Sequence, residues 1–384
     1  MVEVKTVSER LGELRLQISS QSYGRGSSGF ASYRTDEDAG TPDERLRQAA
    51  AVARLTGRAG RISLHSPNDV RTDEDAARIA ALLKELSLEC GSFYPDLFIP
   101  RKSGTMNHRL MYGTISNPIS ELRVASINFV IRSMELMRAL DCRQLVLWLP
   151  DGIDSPGEKN LTDMLDRILN GIRQIGINIR KSENLMLDFR PFDPSFCSMA
   201  VSDWGTAAWL CRETDPSCRV MLDTASLLPG ASLDSVVVAM LHQKILGSVR
   251  LSDNRLSQGS MPAGTLDPAA LFRFFVNLLQ AEKAGLCTIG DMVFELGVNA
   301  RVGIPSEVVI RAIESVELAF ATAMLVNPDE LSEIQARPDP YLAEKLLQDA
   351  FMTDVRPVIR AWREQNGLPT DPVQALRSEL AGRS

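Results

Sequence analysis

Asp188, Asp223, Arg250 and Glu295 each stand at the carboxyl edge of a short apolar run, and so do His65, Trp148 with Asp151, Arg190 and Asp253. Carboxylates gathered at one place repel unless a cation holds them, so a converging set implies a positive charge in its midst. Arg250, Arg190 or a divalent ion can supply that charge. Asp188, Asp223 and Glu295 offer the oxygen ligands that Mg2+ or Mn2+ prefer. Arg250 cannot ligate, because a guanidinium stays protonated and has no lone pair to give. An internal ion cluster therefore ranks ahead of metal binding on residue types alone. The chain has three histidines, which excludes a histidine-rich metal site. Either arrangement suits proton transfer at a carbonyl compound, with an acid as base and a cation as electrophile. Tyr23, Phe30, Trp148 and Phe189 are the aromatic residues near these positions whose faces could line a pocket.

Short β-like runs alternate with long amphipathic stretches, the pattern of parallel α/β architecture. Strands are predicted at 13–18, 61–65, 87–93, 144–149, 185–189, 219–223, 248–252 and 287–296. Helical periodicity covers 41–56, 72–86, 119–140, 160–175, 198–213, 232–245, 267–284 and 305–326. Eight strands each followed by a helix is the count of a (β/α)8 barrel, whose chemistry sits at the carboxyl ends of its strands. An open doubly wound sheet is the competitor, but no G-x-G-x-x-G motif follows the first strand. Residues 1–328 are read as the barrel. Residues 329–384 carry helices without strands and are read as a C-terminal helical extension that packs on a barrel face or a neighbouring subunit. The glycine-bearing segment 21–42 follows the first strand, where active-site loops of barrels belong.

Composition places the chain among ordinary globular proteins, with 44% hydrophobic and 24% charged residues and a net charge of -7. That modest acidity, without a basic stripe interleaved with aromatics, gives no reason to expect nucleic acid or an anionic membrane as partner. No apolar run approaches the roughly 20 residues that span a bilayer. The start of the chain lacks the basic-then-apolar profile of a signal peptide, so the cytoplasm is the expected location. The six cysteines form no C-x-x-C pair and fit buried, reduced thiols.

Several segments carry a family resemblance. They are Ser63-Leu64-His65, Tyr112-Gly113-Thr114 with Asn117-Pro118, and Leu147-Trp148-Leu149-Pro150-Asp151-Gly152 with Pro156-Gly157. The run from Asp188-Phe189-Arg190 to Pro194-Ser195-Phe196 joins them, as do Leu347-Gln348-Asp349-Ala350-Phe351 and Thr353-Asp354-Val355-Arg356-Pro357. In these the chain resembles the L-rhamnose isomerases of broader bacterial specificity, within the xylose-isomerase-like barrels. The resemblance implies aldose–ketose isomerisation of a small-molecule sugar, a homotetramer, and a divalent metal, Mn2+ among those that serve. The family holds a structural ion through Glu, Asp, His and Asp, which fall here on Asp188, Asp223, Arg250 and Glu295. The family lysine two residues past the first of these becomes Arg190. A second, catalytic ion uses a histidine, which falls at Ser226, and two aspartates, which fall near Gln258 and Ser260. One site is thus altered and the other lost in type. His65 is implied as a sugar ligand, with Trp148 and Phe30 beside it.

Two functions follow for the same fold. One is an active isomerase or epimerase-like enzyme, with Asp188, Arg190 and Glu295 as its catalytic groups. It works either through one ion on Asp188, Asp223 and Glu295 or with Arg250 as electrophile. The other is a barrel that binds a sugar or a partner without turnover, which the permanent cation at Arg250 favours.

Overall fold

The computed structural model describes residues 4–24, 40–58, 60–97, 110, 112–191, 198–214, 217–253, 261–298 and 304–382. Among them, eight parallel strands close a barrel: β1 (Arg15–Ser19), β2 (Arg61–Ser66), β3 (Glu89–Pro95), β4 (Gln144–Trp148), β6 (Asn184–Asp188), β8 (Cys218–Asp223), β9 (Leu246–Leu251) and β10 (Val293–Leu296). They follow one another round the barrel in chain order, and β1 seals it by pairing with both β2 and β10. Two further strands, β5 (Gly152–Ile153) and β7 (Ser198–Met199), pair antiparallel outside it.

Helices cover the outside: α1 (Val4–Leu11), α2 (Pro42–Thr56), α3 (Asp73–Glu85), α4 (Ser120–Ala139), α5 (Leu161–Gly176), α6 (Trp204–Arg212), α7 (Leu233–His242), α8 (Pro268–Lys283) and α9 (Pro305–Ala323). Their starts are written locally. Thr41 and Glu44 form a reciprocal cap on α2, as Thr72 and Asp75 do on α3, and Asp203, Ser232 and Asp267 each accept an orphan backbone N–H. The fold class expected from the alternation is the one observed. Three local expectations change. The run 287–296 opens with a 3-10 turn at Ile289–Asp291, so its strand is only Val293–Leu296. The helix expected from 198 begins at Trp204, because Ser198 and Met199 are taken up pairing with β5. A helix, α1, precedes the first strand.

Alternation along the strands decides what faces the barrel axis. In β6, Leu185 and Leu187 turn outward to the main core, while Met186 joins Tyr94, Val146 and Met221 in a separate apolar layer inside the barrel. Two residues beyond that layer, the same parity brings Trp148, Asp188 and Asp223 to the carboxyl mouth. The chain ends in α10 (Pro328–Gln335), α11 (Pro340–Phe351), α12 (Arg356–Gln365) and α13 (Pro372–Ala381). Arg363 of α12 joins Glu317 of α9 at 2.6 Å, and Glu317 joins Arg58 at 2.9 Å. The Arg58 guanidinium stacks 4.1 Å from the Trp362 ring centroid. All three charged groups are buried, so removing any one of them would leave a buried charge uncompensated. No helix among the described residues is long and apolar enough to cross a membrane.

Candidate functional site

Strand register assembles the site. Glu295 of β10 lies beside Arg250 of β9, and Arg250 lies beside Asp223 of β8. One strand further, Asp188 of β6 is level with Trp148 of β4. Four residues scattered over the sequence thereby meet on one side of the mouth.

Arg250 sits at their centre. Its Nε donates to Glu295 Oε1 at 3.1 Å, and its Nη1 donates to Asp188 Oδ2 at 3.0 Å and faces Asp223 Oδ2 at 3.6 Å. Nη2 donates to the Tyr94 hydroxyl at 2.8 Å and approaches Met221 Sδ at 3.8 Å. Tyr94 in turn donates to Glu295 at 2.9 Å. Burial works against the guanidinium charge, but Tyr94, Asp188, Glu295 and Asp223 outweigh it and hold Arg250 firmly protonated. Gly297 makes room for this side chain, since a Cβ there would come within 3.1 Å of Arg250 Cδ.

The acids differ in what else holds them. Glu295 Oε2 accepts from Gln17 Nε2 at 2.6 Å, so both its oxygens are engaged. Gln17 itself fits because Gly91 lacks a Cβ, which would lie 1.8 Å from Gln17 Oε1. Asp223 Oδ1 accepts from the Ser252 hydroxyl at 2.7 Å and from Ala225 N at 3.0 Å. Asp188 is the exception: its Oδ1 is buried and has no hydrogen-bond partner among the described residues. Burial raises the Asp188 pKa above the ordinary carboxylate value despite the pull of Arg250 and Arg190. Two donors nearby are orphaned in the same way, Trp148 Nε1 and Arg190 Nε. Arg190 stands 3.9 Å from Asp188 Oδ2, is 40% exposed, and lies over the Trp148 ring at 5.4 Å. One orphan acceptor and two orphan donors at a barrel mouth are what a hydroxyl-bearing ligand satisfies.

His65, at the end of β2, stacks on Tyr94 with ring centroids 4.7 Å apart. Its Nδ1 meets both Asp96 oxygens at 3.2 Å and its Nε2 meets Ser19 Oγ at 3.1 Å. Burial opposes protonation of the ring, but Asp96, Asp69 and Glu295 outweigh it and raise the pKa above the ordinary value. A raised folded pKa means that the His65–Asp96 pair stabilises fully below the unfolded value, about 6.5, and that this contribution fades as pH rises through the folded one. Imidazole NMR should accordingly show His65 titrating above 6.5, and Asp96→Asn should bring the midpoint down. An unchanged midpoint would remove Asp96 as the cause.

Other expected site residues lie elsewhere. Asp151 is wholly buried and is held by the loop before α4. It accepts from Thr114 N at 2.7 Å, Ser116 N at 3.2 Å and both hydroxyls of that loop, so it ties segment 113–117 to β4. Asp253 caps backbone N–H groups of Leu266 and Asp267. Tyr23 and Phe189 are core residues, 0% and 1% exposed, not pocket linings. Ser226 sits in the turn after β8. Phe30, Gln258 and Ser260 lie outside the described residues. Sequence reading missed Tyr94, Gln17 and Asp96. Its third strand ended at residue 93, one short of Tyr94, although Ser92 and Tyr94 share the inward parity that signals both.

A closed parallel barrel with a polar cluster at its strand ends defines a (β/α)8 barrel whose working face is that mouth. A family model described as xylose isomerase-like TIM barrel matches residues 62–277, and the chain belongs to that family. A probable sugar isomerase of Rhizobium meliloti is 25% identical over 98% of this chain and 86% of its own length. One of Mesorhizobium japonicum is 24% identical over 98% and 86%. Among solved structures, L-ribulose 3-epimerase superposes with TM-score 0.56 at 16% identity, covering 85% of this chain and all of its own. The 3-keto-D-glucoside 4-epimerase of E. coli gives TM-score 0.54 at 14% identity, over 79% of this chain and 98% of its own. These superpositions speak for the fold.

Proposed function

We propose that the barrel mouth binds a sugar and moves a proton next to its carbonyl, as an aldose–ketose isomerase or a related epimerase, without a divalent ion. Asp188 Oδ1, unpartnered among the described residues, carries this reading. Asp188 acts as the base, and Arg190, half-buried and with an orphan Nε, stabilises the enediolate oxygen. Trp148 donates its orphan Nε1 to a hydroxyl, while His65, engaged at both ring nitrogens, positions Tyr94 by stacking on it. Glu295, engaged at both oxygens, orients Arg250 and Tyr94. The narrower kinship with L-rhamnose isomerases rests on the motif segments around Trp148 and Asp188, and the relatives named as probable sugar isomerases support the substrate class.

The donor set does not suit the metal that the resemblance implies. A guanidinium lies within 3.0 to 3.6 Å of the three acids that would ligate, and its charge repels a second cation.

The test is incubation with a panel of aldoses and ketoses in D2O containing EDTA, read by NMR. Deuterium should enter the carbon next to the carbonyl. Turnover that appears only with Mn2+ or Co2+ would overturn the metal-free site. A second reading, sugar binding without turnover, is favoured by the way every guanidinium nitrogen of Arg250 faces a protein acceptor. Saturable binding without exchange on any sugar would select it.

A further inference from the structure

Away from the mouth, Cys211 in the last turn of α6 and Cys218 at the start of β8 bring their sulfurs to 3.1 Å. Both are free thiols, 0% and 1% exposed. A disulfide bond is about 2.05 Å long, so about 1 Å of approach separates the pair from one. Nothing in the proposed chemistry uses them. Their hydrogen bond and burial push the Cys211 thiol pKa far up, which leaves almost no Cys211 thiolate in the folded protein.

We propose that Cys211 and Cys218 form an intrachain disulfide when the chain folds in an oxidising thiol–disulfide environment, a covalent staple between α6 and β8. Because the folded pair is closed to solvent, the bond forms while the chain is still open. One thiolate attacks oxidised glutathione, forming a mixed disulfide and expelling one glutathione thiolate. The second cysteine then attacks the protein-side sulfur of that bond and expels the other glutathione. The two cysteines lose two electrons, the glutathione disulfide gains them, and the two cysteine protons pass to the glutathione thiolates. The staple sits at the amino end of β8, the opposite end from Asp223, so it acts on stability rather than on the mouth.

The experiment is unfolding and refolding of the full chain in a reduced/oxidised glutathione buffer, alkylation of remaining thiols, and fragment-ion peptide mapping. A Cys211–Cys218 bridge with Cys90, Cys142, Cys197 and Cys287 alkylated is the expected result. Alkylation of both Cys211 and Cys218, or a bridge formed between Cys90 and Cys142 instead, would overturn the proposal. A short loop closed in this way predicts a fall in Tm of about 3 °C when the oxidised protein is reduced. Cys211→Ala should show no such fall on reduction; an equal fall in that variant would also overturn it.

Discussion

Arg250→Met should lower stability by about 3–5 kcal/mol at neutral pH, because it leaves Asp188, Asp223 and Glu295 buried together without their cation. Methionine nearly matches the arginine stem, so the loss reports charge and hydrogen bonds more than volume. The pH dependence has a definite sign. Burial already raises the Asp188 pKa, and without Arg250 the main pull against that rise is gone, so its folded value climbs further above the unfolded one. Groups shifted in that direction withdraw stability as pH rises, and the variant should regain part of its loss in mild acid. Urea unfolding at about pH 5 and pH 7.5 measures both effects. A variant as stable as the parent at the higher pH would show that the cluster is not organised by Arg250. Arg250→His adds a second arm. It removes a permanent charge and restores a ring lone pair among three carboxylates, so Mn2+ should bind in calorimetric titration where the parent gives no heat. No gain would show the remaining ligands misplaced for an ion.

Asp188→Asn is expected to reduce solvent-deuterium exchange into the sugar by about 10²–10⁴-fold, the usual contribution of a positioned general base. Asparagine keeps an oxygen for Arg250 Nη1, now 3.0 Å away, but its amide cannot take up a proton. The loss should fall on kcat more than on KM, since Trp148 and Arg190 still hold the ligand. Circular dichroism and thermal unfolding separate this from misfolding. Exchange retained at the parent rate would place the base elsewhere, and His65 would be the next group to test.

Much of the architecture was legible because it is periodic. Strand parity in Asn184-Leu185-Met186-Leu187-Asp188 and Cys218-Arg219-Val220-Met221-Leu222-Asp223 already says which side chains face the axis. The acid–arginine cluster was legible for the same reason, since its members end such runs. Asp151 was misplaced because a buried aspartate serving a loop's N–H groups has the same local context as one facing a mouth. The 3-10 turn before β10 escaped because its apolar content continues the strand's pattern.

The sequence by itself determined a (β/α)8 barrel and the parity that turns Asp188, Asp223, Arg250 and Glu295 inward, because alternation is a property of neighbouring residues. Only the tertiary structure decided their chemistry. Which oxygens are spent and which is left over depends on partners such as Tyr94 and Gln17, 201 and 278 positions from Glu295. Those pairings are set by barrel closure and strand register, and so the Asp188 oxygen left unpartnered among the described residues became visible only when the ring of strands was complete.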